Sequence, residues 1–398
     1  MGRAMTFSDE LCRLLRERGM SQRELARRSH YDCGHINKLC TGVKPATPGV
    51  AAVLDDILGA GGTLMAAVNR RSVLAGAAAL ASAPLLGVLD AGRLEWAQRH
   101  PLRIDTAAVE SLAGVLAAQR RAEDAVGAAA VMKPVLAQLG EIEDLVRHVR
   151  GPVRPALIGV AQQWAQFAAY LRRDAGDGPG DRARLAQALE WAQEAGDATM
   201  TATVLVQRGS LALGAGELGS AIGLAQAAQR DRRAAAGQRA DAADLEARAY
   251  AAAGDGLRAE RKLAEAAELA GNLGRLPPWL YWMNPWYFEC ARGAAYGYLA
   301  PDPRYRDLAV SALEGGYARL PGDQPSSAWA STLLVRLAAV HARGGDPGRA
   351  CEVAMRCAGI AEATGSVRLR GMLVQLHAGM ASRWPGDAAI AGLGEAIR

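Results

Sequence analysis

A chain of 398 residues is longer than one ordinary hydrophobic core supports, so two or more domains are expected. Half the residues are apolar but only 5% are aromatic; Ala carries much of the apolar share and β-branched residues are sparse, which favours an all-α protein over a sheet-built one. A formal net charge of +5 is too small over this length to imply a nucleic-acid partner by itself.

The distribution of that charge is more telling. Between Leu11 and Lys44 eight basic residues stand against three acids, an excess equal to that of the whole chain. Such a local concentration is the electrostatic footprint of phosphate contact. Five short helices are expected from about Thr6 to Leu64. The first runs from Ser8 to Arg18, with Leu11, Leu14 and Leu15 on one face and Gly19 ending it. Ser21-Gln22-Arg23-Glu24 reads as a reciprocal capping box opening the second, whose Leu25 and Ala26 turn to the core. Ser29-His30-Tyr31 makes a turn, and Asp32 can cap a third helix from Cys33 to Cys40 that buries Ile36 and Leu39. Thr47-Pro48 opens a further helix, with Val50, Val53, Leu54 and Ile57 as its buried stripe and Gly59 as its stop.

This succession of cap, Leu-Ala pair, turn and short helix, closed by Thr41-Gly42, resembles the helix-turn-helix of the phage-repressor (XRE/Cro) family over about 60 residues. The resemblance implies that Cys33–Cys40 is a recognition helix lying in the major groove of double-stranded DNA. On it Cys33, Gly34, His35, Asn37 and Lys38 are the candidates for base contact, and Gln22, Arg23 and Lys44 for phosphate contact. Two departures are His30, where the family commonly has Gly in the turn, and Gly34, which offers no side chain for readout.

Asn69-Arg70-Arg71-Ser72-Val73-Leu74 precedes an Ala/Gly-rich apolar run reaching about Leu89, and looks like a twin-arginine export motif. It follows a DNA-binding segment instead of starting the chain, and Pro84 interrupts the run, so a linker or buried helix is expected and a membrane role is not. The polar stretch Met1 to Glu10 gives no signal peptide. The six cysteines form no CxxC and stand at no metal-ligand spacing from His, so reduced thiols, a cytoplasmic location, no metal and no cofactor are expected.

Beyond this the sequence repeats. Gly216-Glu217 is followed by Ala221, Ala225 and Ala228; Gly254-Asp255 by Ala259, Leu263 and Ala266; Gly345-Asp346 by Ala350, Ala354 and Cys357. Gly176-Asp177 begins a degenerate copy with Asp181, Leu185 and Ala188, and another runs through Tyr305, Ala309 and Ala312. Upstream, Gly209, Ala247, Gly293 and Ala338 hold a small position where two antiparallel helices can press together. The layout resembles the tetratricopeptide repeat, with turns spaced more widely than that family's period of about 34 residues. It covers about five pairs over residues 155–383, with two further helices in 101–150. Stacked pairs imply an α-solenoid with a concave binding groove. Against the Ala-rich background, Trp279 to Phe288 holds six aromatics. Trp279, Tyr281, Trp282, Trp286 and Tyr287 are candidates to line a ligand pocket, or else fill the space under an inter-repeat loop. Trp164, Trp191 and Trp329 are expected in the repeat core.

The organisation expected is a helix-turn-helix domain over 1–66, a linker over 67–100 and a helical repeat domain over 101–398. No HExxH, GxSxG or phosphate loop occurs and the six histidines are scattered, so no enzyme is expected. The pairing of parts looks like actinobacterial regulators that join a phage-repressor-type helix-turn-helix to tetratricopeptide-like repeats. It implies a homodimeric, sequence-specific transcriptional regulator whose repeats bind an effector peptide, small molecule or protein. The alternative is a non-enzymatic scaffold whose amino-terminal domain docks proteins.

Overall fold

The computed structural model describes residues 7–29, 31–41, 46, 48–60, 63–64, 104–321, 325 and 327–398. It divides into two units, Met1–Pro84 and Leu85–Arg398, each all-helical among the described residues. The expected linker, with Arg70 and Arg71, lies outside the described residues. Among those described, no helix is long and apolar enough to cross a membrane.

The amino-terminal unit holds α1 (Phe7–Glu17), α2 (Gln22–Ser29), α3 (Cys33–Cys40) and α4 (Pro48–Leu58) around one small core. Leu11, Leu25, Ile36, Leu39 and Leu54 are fully buried in it. The Ser21 hydroxyl accepts the Glu24 amide at 3.1 Å, but the reciprocal half of the capping box does not form. The Glu24 carboxylate turns instead to the guanidinium groups of Arg27 and Arg28. On α4 the inward stripe is Ala51, Leu54 and Leu58, with Val50 and Ile57 flanking it; Val53 is 39% exposed, contrary to the sequence expectation.

The second unit is a stack of antiparallel helix pairs. α5 (Thr106–Val126) and α6 (Ala128–His148) come first. Then follow α7 (Arg154–Asp174) with α8 (Gly178–Ala195), α9 (Ala198–Gly214) with α10 (Leu218–Gln229), and α11 (Ala236–Ala252) with α12 (Gly256–Ala270). α13 (Pro285–Tyr298) with α14 (Pro303–Tyr317), α15 (Ala328–Gly344) with α16 (Pro347–Thr364), and α17 (Val367–Arg383) with α18 (Ala388–Ala396) complete it. The array thus extends past the expected residues 155–383 at both ends. The turns explain the Gly-Asp repeats. Gly176, Gly254 and Gly345 have φ between +79° and +88°. The following Asp177, Asp255 and Asp346 each cap the next helix by accepting an amide three residues on. The small positions of the repeats are all buried, Ala221, Ala225, Ala259, Ala309, Ala350 and Ala354 fully so. Gly293 shows why size matters there: a Cβ on it would stand 2.9 Å from the Leu313 nitrogen and 3.0 Å from the Ala309 oxygen on the paired helix.

The stacked pairs curve so far that late helices of the array touch early ones. The end of α16 and start of α17 meet the α5–α6 and α7–α8 junctions. The buried Ser366 hydroxyl donates to Asp174 Oδ1 at 2.7 Å, Val367 packs on Gly176, and the backbone of Thr364 lies against Gly127. Trp164 is fully buried between the first two pairs and its indole N–H donates to the Leu112 carbonyl at 3.2 Å.

Candidate nucleic-acid interface and ligand chamber

Helix α3 is positioned from both ends. Asp32 Oδ1 accepts the His35 amide at 2.7 Å, and the Thr41 hydroxyl donates to the Asn37 carbonyl at 2.9 Å. Buried Ile36 and Leu39 fix its inner face. The helical period therefore leaves Cys33, Gly34, Asn37 and Lys38 exposed on the other side. His35 departs from the expectation of an outward base-reading side chain. Its ring is half-buried and stacks on Tyr31, centroids 5.2 Å apart and planes at 15°. Gly34 leaves room for the cap: a Cβ there would come within 3.1 Å of Asp32 Oδ1.

Gln22 is the half-buried first residue of α2 and Arg23 beside it is exposed; Lys44 lies outside the described residues. The basic excess is not a uniform face. Arg13 pairs with Glu10 and Glu17, Arg27 and Arg28 share Glu24, and Arg18 donates to the Gly59 carbonyl at 2.8 Å. The two arginines hold the Glu24 carboxyl down at about 2 through their hydrogen bonds. Arg23 and Lys38 are exposed with no ion pair among the described residues, which makes them the cations most available to a phosphate.

In the repeat unit the first helix of every pair turns one face inward, and these faces line a half-open chamber of about 1290 Å³. On α13 the facing residues are Tyr287, Ala291, Ala294 and Tyr298, and on α15 Trp329, Thr332, Arg336, Ala339 and Arg343, spaced at three to four residues. Trp279, Tyr281, Trp282 and Tyr287 line the chamber. Trp286 does not; it is 40% exposed with Arg319 over its ring at 5.2 Å. Trp329, expected in the repeat core, also lines the chamber, whereas Trp164 and Trp191 are core residues. The aromatic segment spans the interior and is fixed to three helices. The Trp279 indole donates to Thr203 Oγ1 at 3.3 Å, Tyr281 donates to Asp124 Oδ2 at 2.5 Å, and Tyr287 donates to Asp241 Oδ1 at 2.9 Å. Trp282, Tyr287 and Trp329 pack as one cluster, with centroids 4.6 to 6.4 Å apart.

The lining also carries charged residues, which the sequence reading missed. The signal was present in α11, where Gln238, Asp241 and Arg248 recur on one face of a helix that is buried almost all round. It was present again in Arg336, set inside the apolar run of α15. Burial sets the protonation of these groups. Glu123 is pushed up to about 8, by burial first and then by Asp124, although the Tyr170 hydroxyl bonds it at 3.0 Å. Asp241 is pushed up to about 6 by burial. Burial also lowers the Arg120 guanidinium to about 10; it rests on the Gln163 carbonyl, Gln166 and the Phe167 ring, with no carboxylate in salt-bridge range among the described residues. Among the described residues no group of three or more His, Cys, Asp or Glu is placed to hold a metal ion.

A pH dependence follows. A carboxyl whose folded pKa is raised binds its proton more tightly in the folded state. The stability it contributes is full below its unfolded value, and is lost as pH rises through the folded one. Glu123 therefore weakens the array between its ordinary value of 4.5 and about 8, by on the order of a few kcal/mol. Glu123→Gln is expected to flatten the fall of the melting temperature over that range. Equal slopes for the two proteins would refute the assignment.

Residues 7–68 match the family model described as a helix-turn-helix domain, so the amino-terminal unit is a helix-turn-helix domain. No curated protein matches the chain. Among solved structures, the crystal structure of BtubC (BKLC) from P. vanneervenii is similar over 59% of this chain and 91% of its own, at 19% identity and a TM-score of 0.37. A likeness that loose carries no argument about the repeat unit.

Proposed function

We propose that this chain is a transcriptional regulator of the XRE/Cro type, which binds operator DNA through α3 as a cytoplasmic homodimer and whose tetratricopeptide-like array takes up an effector. The observation that carries the reading is the outward stripe of α3. A capped helix with a buried Ile36 and Leu39 presents Asn37 and Lys38 exposed and, among the described residues, without side-chain partners, in a domain that matches helix-turn-helix proteins. Asn37 has the donor and acceptor needed at an adenine edge, and Lys38 can donate to a guanine edge or a phosphate. Gln22 and Arg23 stand at the amino end of α2, where amides and the helix dipole favour a phosphate. Two copies would set their recognition helices about 34 Å apart on successive turns of the duplex.

Titration of the full chain on random DNA is expected to lose affinity steeply as salt rises, because phosphate binding releases counterions. No binding at low salt would favour the protein-docking scaffold. Asn37→Ala with Lys38→Ala is expected to remove selection between operator and random DNA, at about 1–3 kcal/mol per lost base contact. Intact selectivity in that variant would remove α3 from the reading.

A further inference from the structure

The chamber has an internal charge imbalance whose position is informative. On its α11–α13–α15 side three arginines, Arg248, Arg336 and Arg343, gather around the Tyr298 hydroxyl. Arg248 alone has a carboxylate partner, donating to Asp244 at 2.7 Å. The neighbours of Arg336 are the Tyr298 hydroxyl and Arg248, with Asp244 already committed; Arg343 donates to the Gly297 carbonyl. Neither has an ion pair among the described residues; Arg336 is half-buried, Arg343 is exposed, and beyond partial desolvation the neighbouring arginine helps to lower each guanidinium group from its ordinary range. Like charges set side by side without carboxylates of their own disfavour one another, so an anion between them is favoured on this wall. The aromatic cluster stands on the same wall. Trp329, Arg336 and Arg343 are spaced by seven residues on α15, which puts Arg336 about 10 Å along the helix from the Trp329 ring.

We propose that the effector bound in this chamber is a small organic anion. Its carboxylate or phosphate is held by Arg336, Arg343 and the Tyr298 hydroxyl, and its planar body lies against Trp282, Tyr287 and Trp329. This rests on the reading of the array as an effector-binding unit and adds the ligand's chemical class. Arginine suits the task because its planar fork donates in pairs to carboxylate and phosphate oxygens. The aromatic faces take a flat apolar body.

The test uses the full chain and four probes that share one ring system: naphthoate, naphthyl phosphate, naphthylmethanol and naphthylmethylamine, titrated calorimetrically. At least one anion is expected to bind about tenfold or more tightly than the alcohol, and the amine weakest. Whichever anion binds better identifies the group the site prefers. Arg336→Gln with Arg343→Gln is expected to erase the preference for the anion and leave the affinity for the alcohol unchanged. Without ligand, Arg336→Gln is expected to melt no lower than the parent, since it removes a charge and not an ion pair. A marked loss of melting temperature in that variant would make Arg336 a structural residue and overturn the proposal. An alcohol or amine that binds as tightly as the anions overturns the anionic class and leaves the chamber an effector site. No saturable binding of any probe up to about 10 mM overturns both.

Discussion

Gly127→Ala is expected to destabilise the repeat unit by about 3 kcal/mol or more and to loosen the seam between its late and early helices in particular. Gly127 joins α5 to α6 with φ of +86° and ψ of 163°, a region open essentially to glycine, and an alanine there costs about 1–3 kcal/mol in backbone strain alone. The space is also closed: an added Cβ would stand 2.2 Å from the Thr364 carbonyl oxygen and 2.8 Å from the Thr364 Cβ. The first obstacle is backbone and has no rotamer to retreat into, so the seam must part, which overpacking data put at a further ~1–3 kcal/mol. Hydrogen exchange localises the effect. Amides of α5, α6 and the start of α17 are expected to lose protection while those of α9 to α12 keep theirs. Uniform loss across all pairs, or none, would show that the seam is not a separable contact.

Trp164→Ala is expected to cost about 3–5 kcal/mol, the range for deleting a large buried aromatic. Trp164 is fully buried between α5 and α7, and its indole holds the Leu112 carbonyl. Trp164→Phe separates the two contributions. It keeps much of the packing and forfeits the hydrogen bond, so a smaller loss, nearer 1–2 kcal/mol, is expected from chemical denaturation. A Trp164→Ala protein with the parent's midpoint would contradict the burial.

Most of the helices were legible because they rest on local rules. Asp32, Asp177, Asp255 and Asp346 are caps by chemistry, and the small residues at Ala221, Ala259 and Ala350 are small because a paired helix crosses there. What stayed hidden depends on contacts far apart in sequence. Nothing near Ser366 announces Asp174, 192 residues away, so the meeting of late and early helices is not legible in the repeat spacing. Trp286 and Trp282 are equivalent as sequence; Trp286 begins α13 on the side of Arg319, whereas Trp282 lies in the turn before it and packs on Tyr287 and Trp329. His35 looked like an outward donor because its affinity for the Tyr31 ring is not visible in a helical wheel. The aromatic segment both fills and lines: Trp279 and Tyr287 are hydrogen-bonded to neighbouring helices and, with Trp282, also face the chamber.

An open solenoid grows by adding units, each resting on the one before, and can fold from either end as it is synthesised. Here the earliest helices of the array wait for the latest. Asp174 emerges from the ribosome long before Ser366 exists to bond it, so the surface around α5 to α7 stays bare through most of translation. Such distant pairing makes for slow acquisition of the native state, and a chain cut short before α16 leaves two raw ends instead of one.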